Sequence, residues 1–99
     1  MNTSAQPQNR RVLIIVRGRV QGVGYRYSAV RAAARLGVTG WVRNRPDGSV
    51  EVVASGRAEA LAELRRALHH GPPGAAVLAV VRIDVDPTNE LPTPFTVLR

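Results

Sequence analysis

The chain has no cysteine and no lysine. The first absence excludes disulfides, thiolate metal sites and a thiol nucleophile. The second excludes Schiff-base chemistry and the lysine of a P-loop. Aromatics are scarce, Tyr25, Tyr27, Trp41 and Phe95 being the whole set. No apolar run approaches the roughly 20 residues that cross a bilayer. The start, Met1 to Asn9, is polar and carries no stretch resembling a secretory leader. These absences predict a cytoplasmic protein with no membrane partner, and residues 1–9 are expected to form a flexible tail ahead of one domain over residues 10–99. With 99 residues, 44% of them hydrophobic, the chain can bury a core of its own but keeps a large share of its surface wet.

All 14 basic residues are arginine, set against 7 acids, for a net charge of +7. They are unevenly placed, because residues 1–50 hold nine of them and a single acid, Asp47. The N-terminal half therefore carries a positive field that favours anionic ligands, and the planar guanidinium fork suits phosphate in particular. Arg31, Arg35, Arg43 and Arg45 either widen the anionic footprint or, more simply for most of them, are solvated surface charge.

Hydrophobic patterning sets the element order. Arg11 to Val16 is a β-branched run suited to a buried strand. Glycines 18, 22 and 24 then predict a turn. From about Tyr25 to Leu36 Ala29, Ala33 and Leu36 recur on one helical face, and Gly37 follows as a C-terminal cap. Val38 to Arg45 is β-prone and Pro46-Asp47-Gly48 is a turn. The alternation of Val50, Val52 and Ala54 with Glu51, Val53 and Ser55 completes a hairpin. A second helix is expected from about Arg57 to His70, with Leu61, Leu64 and Leu68 on one stripe, acids early and bases late. Val77, Ala79, Val81, Ile83 and Val85 alternate with Arg82, Asp84 and Asp86 in a fourth strand, and Phe95 to Leu98 forms a short fifth. The order β-α-β-β-α-β predicts an α+β, ferredoxin-like α/β sandwich, an antiparallel sheet with two helices on one face. That architecture hosts many functions and names none.

The segment with the most chemistry in it is Gln21-Gly22-Val23-Gly24-Tyr25-Arg26. At a strand-to-helix turn, its successive N–H groups can converge on an anion at the positive end of the helix dipole, and Arg26 can reach the same point. On spacing alone a tight turn that simply needs glycine is the favoured reading over this phosphate cradle, since neither phosphate-loop consensus is satisfied. Asn44, near a strand end, reads more simply as a turn-forming residue that caps its own backbone.

Taken together, VQGVGYR at 20–26 and LGVTGWVRNRPDGSVEV at 36–52 resemble the acylphosphatase family, enzymes that hydrolyse the carboxyl-phosphate anhydride of acyl phosphates. The resemblance extends through GPPGAAV at 71–77 to Phe95. Tyr25 departs from it mildly, standing where the family often has phenylalanine. The resemblance implies a ferredoxin-like fold, which agrees with the order read from the pattern. It also implies two roles: a phosphate-binding arginine at Arg26 and a water-orienting asparagine at Asn44, with the backbone of Gln21, Gly22, Val23, Gly24, Tyr25 and Arg26 holding the phosphoryl oxygens. The implied ligands are an acyl phosphate and, in the loop, inorganic phosphate or another anion. No metal and no cofactor are expected, and a monomer is.

Other constellations are weaker. His69 and His70 are adjacent, so on a helix they point about 100° apart and do not form an i, i+4 metal pair. Glu59 and Glu63 suit the dipole of a surface helix. Ser28 and Ser55 have no histidine partner in view. The reading from a different class is a basic ferredoxin-like module that binds nucleic acid, but the few aromatics offer little for bases to stack on, and no specific nucleic acid is expected. A related domain begins the carbamoyl-transferring hydrogenase maturation proteins, which are far longer and carry zinc-finger cysteines. The short, cysteine-free chain predicts a free-standing enzyme instead.

Overall fold

A computed structural model describes residues 9–87 and 89–99. All but Asn9 of the expected tail lies outside the described residues. The elements follow in the order β1 (Arg10–Arg19), α1 (Tyr25–Leu36), β2 (Thr39–Asn44), β3 (Val50–Gly56), α2 (Ala58–His70), β4 (Ala76–Val85) and β5 (Thr96–Val97). They build one sheet in the order β4-β1-β3-β2-β5. The boundaries fall within a residue or two of the sequence expectation except at the end of β1, which runs three residues past Val16 to Arg19.

The period-2 pattern decides which face is covered. Val12, Ile14 and Val16 of β1, Val42 of β2 and Val50, Val52 and Ala54 of β3 are completely buried. Against them pack Ala29, Ala32 and Ala33 of α1 and Leu61, Leu64 and Leu68 of α2 in a single core cluster. Both helices thus lie on one face. Small side chains let α1 sit close, whereas the leucines of α2 supply bulk, each contributing roughly 1.5–3 kcal/mol on burial. Gly37, left-handed at φ 70°, ends α1. Its N–H reaches the Ala34 carbonyl at 3.3 Å and that of Val38 reaches Ala33 at 3.0 Å, the paired bonds of a Schellman motif. Glu59 sits in the first turn of α2 and His69 and His70 in the last, as the dipole favours.

Two features depart from the expected antiparallel sheet. First, β5 pairs with β2 in parallel, Trp41 beside Thr96 and Val42 beside Val97, so the sheet is mixed. A two-residue strand gives its direction no sequence signature, because only long-range packing such as burial of the adjacent Phe95 fixes it. Second, the register between β1 and β4 shifts at Arg17/Gly18. Gly18 belongs to this bulge rather than to the turn after β1. A Cβ there would lie 2.2 Å from the Ala76 carbonyl oxygen. The extra residue reverses the facing of β4. Val77 and Val80 pack on the core, while Val81 and Ile83 line the helix-free face, 46% and 50% exposed. Arg82 and Asp84, opposite Ile14 and Val12, lie on the helix side but at the sheet edge, where they remain exposed and pair at 3.2 Å.

Candidate active site

After Val20, buried at the end of β1, the chain turns through Gln21 to Gly24 and enters α1. Gly22 and Gly24 have φ of 76° and 78°. A Cβ on either would touch nothing within 4 Å, so backbone conformation, not space, demands glycine here. Gly24 caps α1 without a side-chain acceptor, and no acid stands in the first turn. The first N–H groups of the helix are thus left to an external acceptor.

The six loop residues divide by what their side chains do. Val23 packs against the core and Tyr25 lies within it. The Tyr25 hydroxyl donates to the Leu68 carbonyl in the last turn of α2, and burial pushes its ionisation well above the usual range for a phenol. Tyr25 therefore joins the two helices through a bond that phenylalanine could not make. Gln21 is also committed, its Nε2 donating to the carbonyls of Arg45 and Ser49 at 2.9 Å each. Only the backbone of these residues, with the side chain of Arg26, remains for a ligand.

Arg26 is half-buried and forms no ion pair among the described residues. It lines a pocket of about 710 Å³ together with Asn44, Arg43, Arg45 and Arg99. Pro46, Glu51 and Leu98 complete the wall. Asn44 ends β2 opposite Val50, on the helix-bearing side of the sheet. Its Oδ1 is buried with no hydrogen-bond partner. Leaving such an acceptor unpaired costs about 1–3 kcal/mol, which singles out Asn44 among the side chains of the pocket.

The turn between β2 and β3 is fixed by its own side chains. Asp47 Oδ1 accepts the Ser49 N–H at 2.9 Å and its hydroxyl at 2.5 Å. Those bonds, helped by Arg45 and Arg17, hold the Asp47 carboxyl at about 2, below its ordinary 3.8. Asp47 is thus the turn residue it was expected to be. Arg43 donates to Glu51 at 2.8 Å and stacks 5.2 Å above the centre of Trp41.

Sequence reasoning missed Glu51 and Arg99, and at Gln21 it foresaw only a backbone role. Glu51 could have been found, because the hairpin register puts it opposite Arg43 and cross-strand charge pairs are common. The side-chain role of Gln21 and the arrival of Arg99 had no local signal. The weaker candidates stay apart: His69 and His70 are exposed on α2, as are Glu59 and Glu63, and Glu63 pairs with Arg66.

A ferredoxin-like α+β sandwich with this strand-to-helix loop has close counterparts among known proteins. The acylphosphatase family model matches residues 12–97. An acylphosphatase of Methylococcus capsulatus is 51% identical over 90 residues, covering 91% of this chain and 97% of that one. One from Trichormus variabilis is 54% identical over 76 residues, 77% of this chain and 75% of its own. The crystal structure of acylphosphatase from Bacillus subtilis superposes with a TM-score of 0.86 at 34% identity, covering 91% of this chain and 99% of that one. The chain belongs to the acylphosphatase family. It is accordingly a hydrolase acting on acid anhydrides, and its substrate is a small-molecule acyl phosphate.

Proposed function

We propose that Arg26 and Asn44 are the catalytic residues of acyl phosphate hydrolysis, and that the backbone of residues 21–26 binds the transferring phosphoryl group. The carrying observation is the pairing, in one pocket, of an arginine without an ion-pair partner and a buried amide oxygen without a donor among the described residues. An acyl phosphate already has a good leaving group, so the protein needs to hold the phosphoryl oxygens, offset their charge and aim a water in line with the bond to be broken. The N–H groups at the start of α1 and the Arg26 guanidinium do the first two tasks. Asn44 Oδ1 does the third by accepting one O–H of the attacking water. An amide is no base, so the water's other proton passes late to a phosphoryl oxygen of the substrate. The P–O bond to the carboxylate breaks as the bond to water forms, giving a carboxylate and inorganic phosphate.

The reaction needs no metal or cofactor in this scheme. Inorganic phosphate, the product, occupies the same loop as a competitive inhibitor. The protein acts as a cytoplasmic monomer; among the described residues no helix is long and apolar enough to cross a membrane. A specific nucleic-acid role is disfavoured because, of the four aromatics, only Trp41 lies on the open face of the sheet, and Arg43 already covers it.

The test is hydrolysis of benzoyl phosphate with a chelator present, by the wild type, Arg26→Ala and Asn44→Ala. The wild type should turn over and each folded variant should lose at least about 10²-fold in rate. A wild type inert under these conditions, or a variant of near wild-type rate, would overturn the corresponding assignment.

A further inference from the structure

The pocket holds more positive charge, and more room, than one phosphoryl group needs. Its volume of about 710 Å³ lies in the range of sites that enclose a whole small molecule. Four arginines and one glutamate line it. Arg43 is already neutralised, its Nε 2.8 Å from Glu51. Arg26 serves the phosphoryl group in the scheme above. Two cations remain. Arg45 Nε stands 3.9 Å from Asp47 Oδ1, an oxygen already taken by both donors of Ser49, while the other Asp47 oxygen lies 3.4 Å from Arg17. Arg99 forms no ion pair among the described residues. Pro46 and Leu98 contribute apolar wall to the same pocket, a surface suited to a short acyl chain.

We infer that Arg45 and Arg99 form a second anion subsite, which binds a carboxylate or phosphate on the acyl part of the substrate. Resting on the proposed function, this gives the site a preference for acyl phosphates whose acyl group is itself anionic over neutral ones such as benzoyl or butyryl phosphate. Guanidinium is the appropriate donor, since either anion can take two parallel hydrogen bonds from it.

Binding and turnover test the two ideas separately. Binding is measured by calorimetry with two stable phosphonates of equal length, ω-phosphonopentanoate and pentylphosphonate, for the wild type, Arg45→Gln and Arg99→Gln. Turnover compares kcat/KM for succinyl phosphate and butyryl phosphate, with benzoyl phosphate as the reference. The carboxylated ligand should bind the wild type about tenfold tighter, and each substitution should lower that ratio about threefold, as partly exposed charge pairs allow. The succinyl-to-butyryl ratio in kcat/KM should fall in parallel. Equal binding of the two phosphonates, or an equal loss for both in each variant, overturns the subsite and leaves the arginines a general attraction for phosphate. A preference for the carboxylated phosphonate without hydrolysis of benzoyl phosphate sustains the subsite and defeats the proposed function. Failure of both phosphonates to bind defeats the subsite and the phosphate cradle together.

Discussion

Gln21 and Ser49 are joined across the molecule: the side-chain amide of the loop residue donates to the carbonyl of the turn residue at 2.9 Å. The second amide hydrogen goes to the Arg45 carbonyl, also at 2.9 Å, and the Arg45 N–H itself donates to Ser49 at 2.9 Å. One side chain thus ties the proposed phosphate loop to the strand end that carries Asn44. Gln21→Ala should lower kcat by about tenfold or more, because catalysis falls steeply when a positioned group drifts by an ångström. Inhibition by inorganic phosphate, which depends on the loop alone, should weaken much less. Steady-state kinetics with phosphate as inhibitor measures both, and a variant with wild-type kcat would show the tie to be dispensable.

Asn44→Asp keeps the shape of the side chain but adds charge beside the phosphoryl group. If Asn44 orients water without taking its proton, the aspartate variant should be no more active than Asn44→Ala, and it should bind phosphate more weakly because like charges repel. Rates above those of the alanine variant, rising with pH as the carboxylate ionises, would point to a general base instead.

Acid should loosen the β2–β3 turn through Asp47. Its carboxyl is held at about 2 in the folded protein against an ordinary 3.8, so the native state favours the ionised form. The stabilisation this gives is present in full above the ordinary value and is lost as pH falls from there toward about 2. Urea midpoints measured across that window should decline in the wild type. The decline should be shallower in Asp47→Ala, which is less stable than the wild type at neutral pH. Parallel curves for the two proteins would assign the acid sensitivity elsewhere.

Tyr25→Phe should destabilise the fold. It removes the hydroxyl that bonds the Leu68 carbonyl, a loss of about 1 kcal/mol for a neutral hydrogen bond. In a domain of this size that corresponds to roughly 4–8 °C in Tm, readable by calorimetry. An unchanged Tm would mean that water takes over the carbonyl. Since burial holds the phenol protonated, this contribution should also fade as pH rises above the ordinary phenol value, where the unfolded chain ionises and the folded one does not.

Much of the molecule was legible before its structure, for local reasons. Both helices carry their stop signals in Gly37 and Gly71, and the β2–β3 hairpin is written in Pro46-Asp47-Gly48 and the alternation after it. What escaped was non-local. The bulge at Arg17/Gly18 requires knowing that β1 lies against β4, and without it the alternation in β4 assigns Val81 and Ile83 to the wrong face. The direction of β5 depends on packing of Phe95, whose sequence neighbourhood fits either orientation. In the candidate site, Arg26 and Asn44 were reached through the motifs they stand in, and their spacing alone left both open to plainer readings. The commitment of Gln21 to the turn was invisible, since nothing in a sequence says whether a glutamine bonds a ligand or a distant carbonyl.

An interior strand of the sheet is also the first in the chain. β1 lies between β3 and β4, pairing Arg10 with Gly56 on one side and Arg11 with Val85 on the other, and neither partner is its neighbour in sequence. Such distant pairings close large loops before they are rewarded, which makes folding slow relative to chains held by local contacts. The loop at residues 21–24 and the turn at 45–49 meet only when β1 and β3 have zipped together. Of the pocket's lining, α1 carries only Arg26 and α2 carries nothing. Catalytic competence in this protein is therefore a late kinetic event, and the return of activity after denaturation marks completion of the whole sheet.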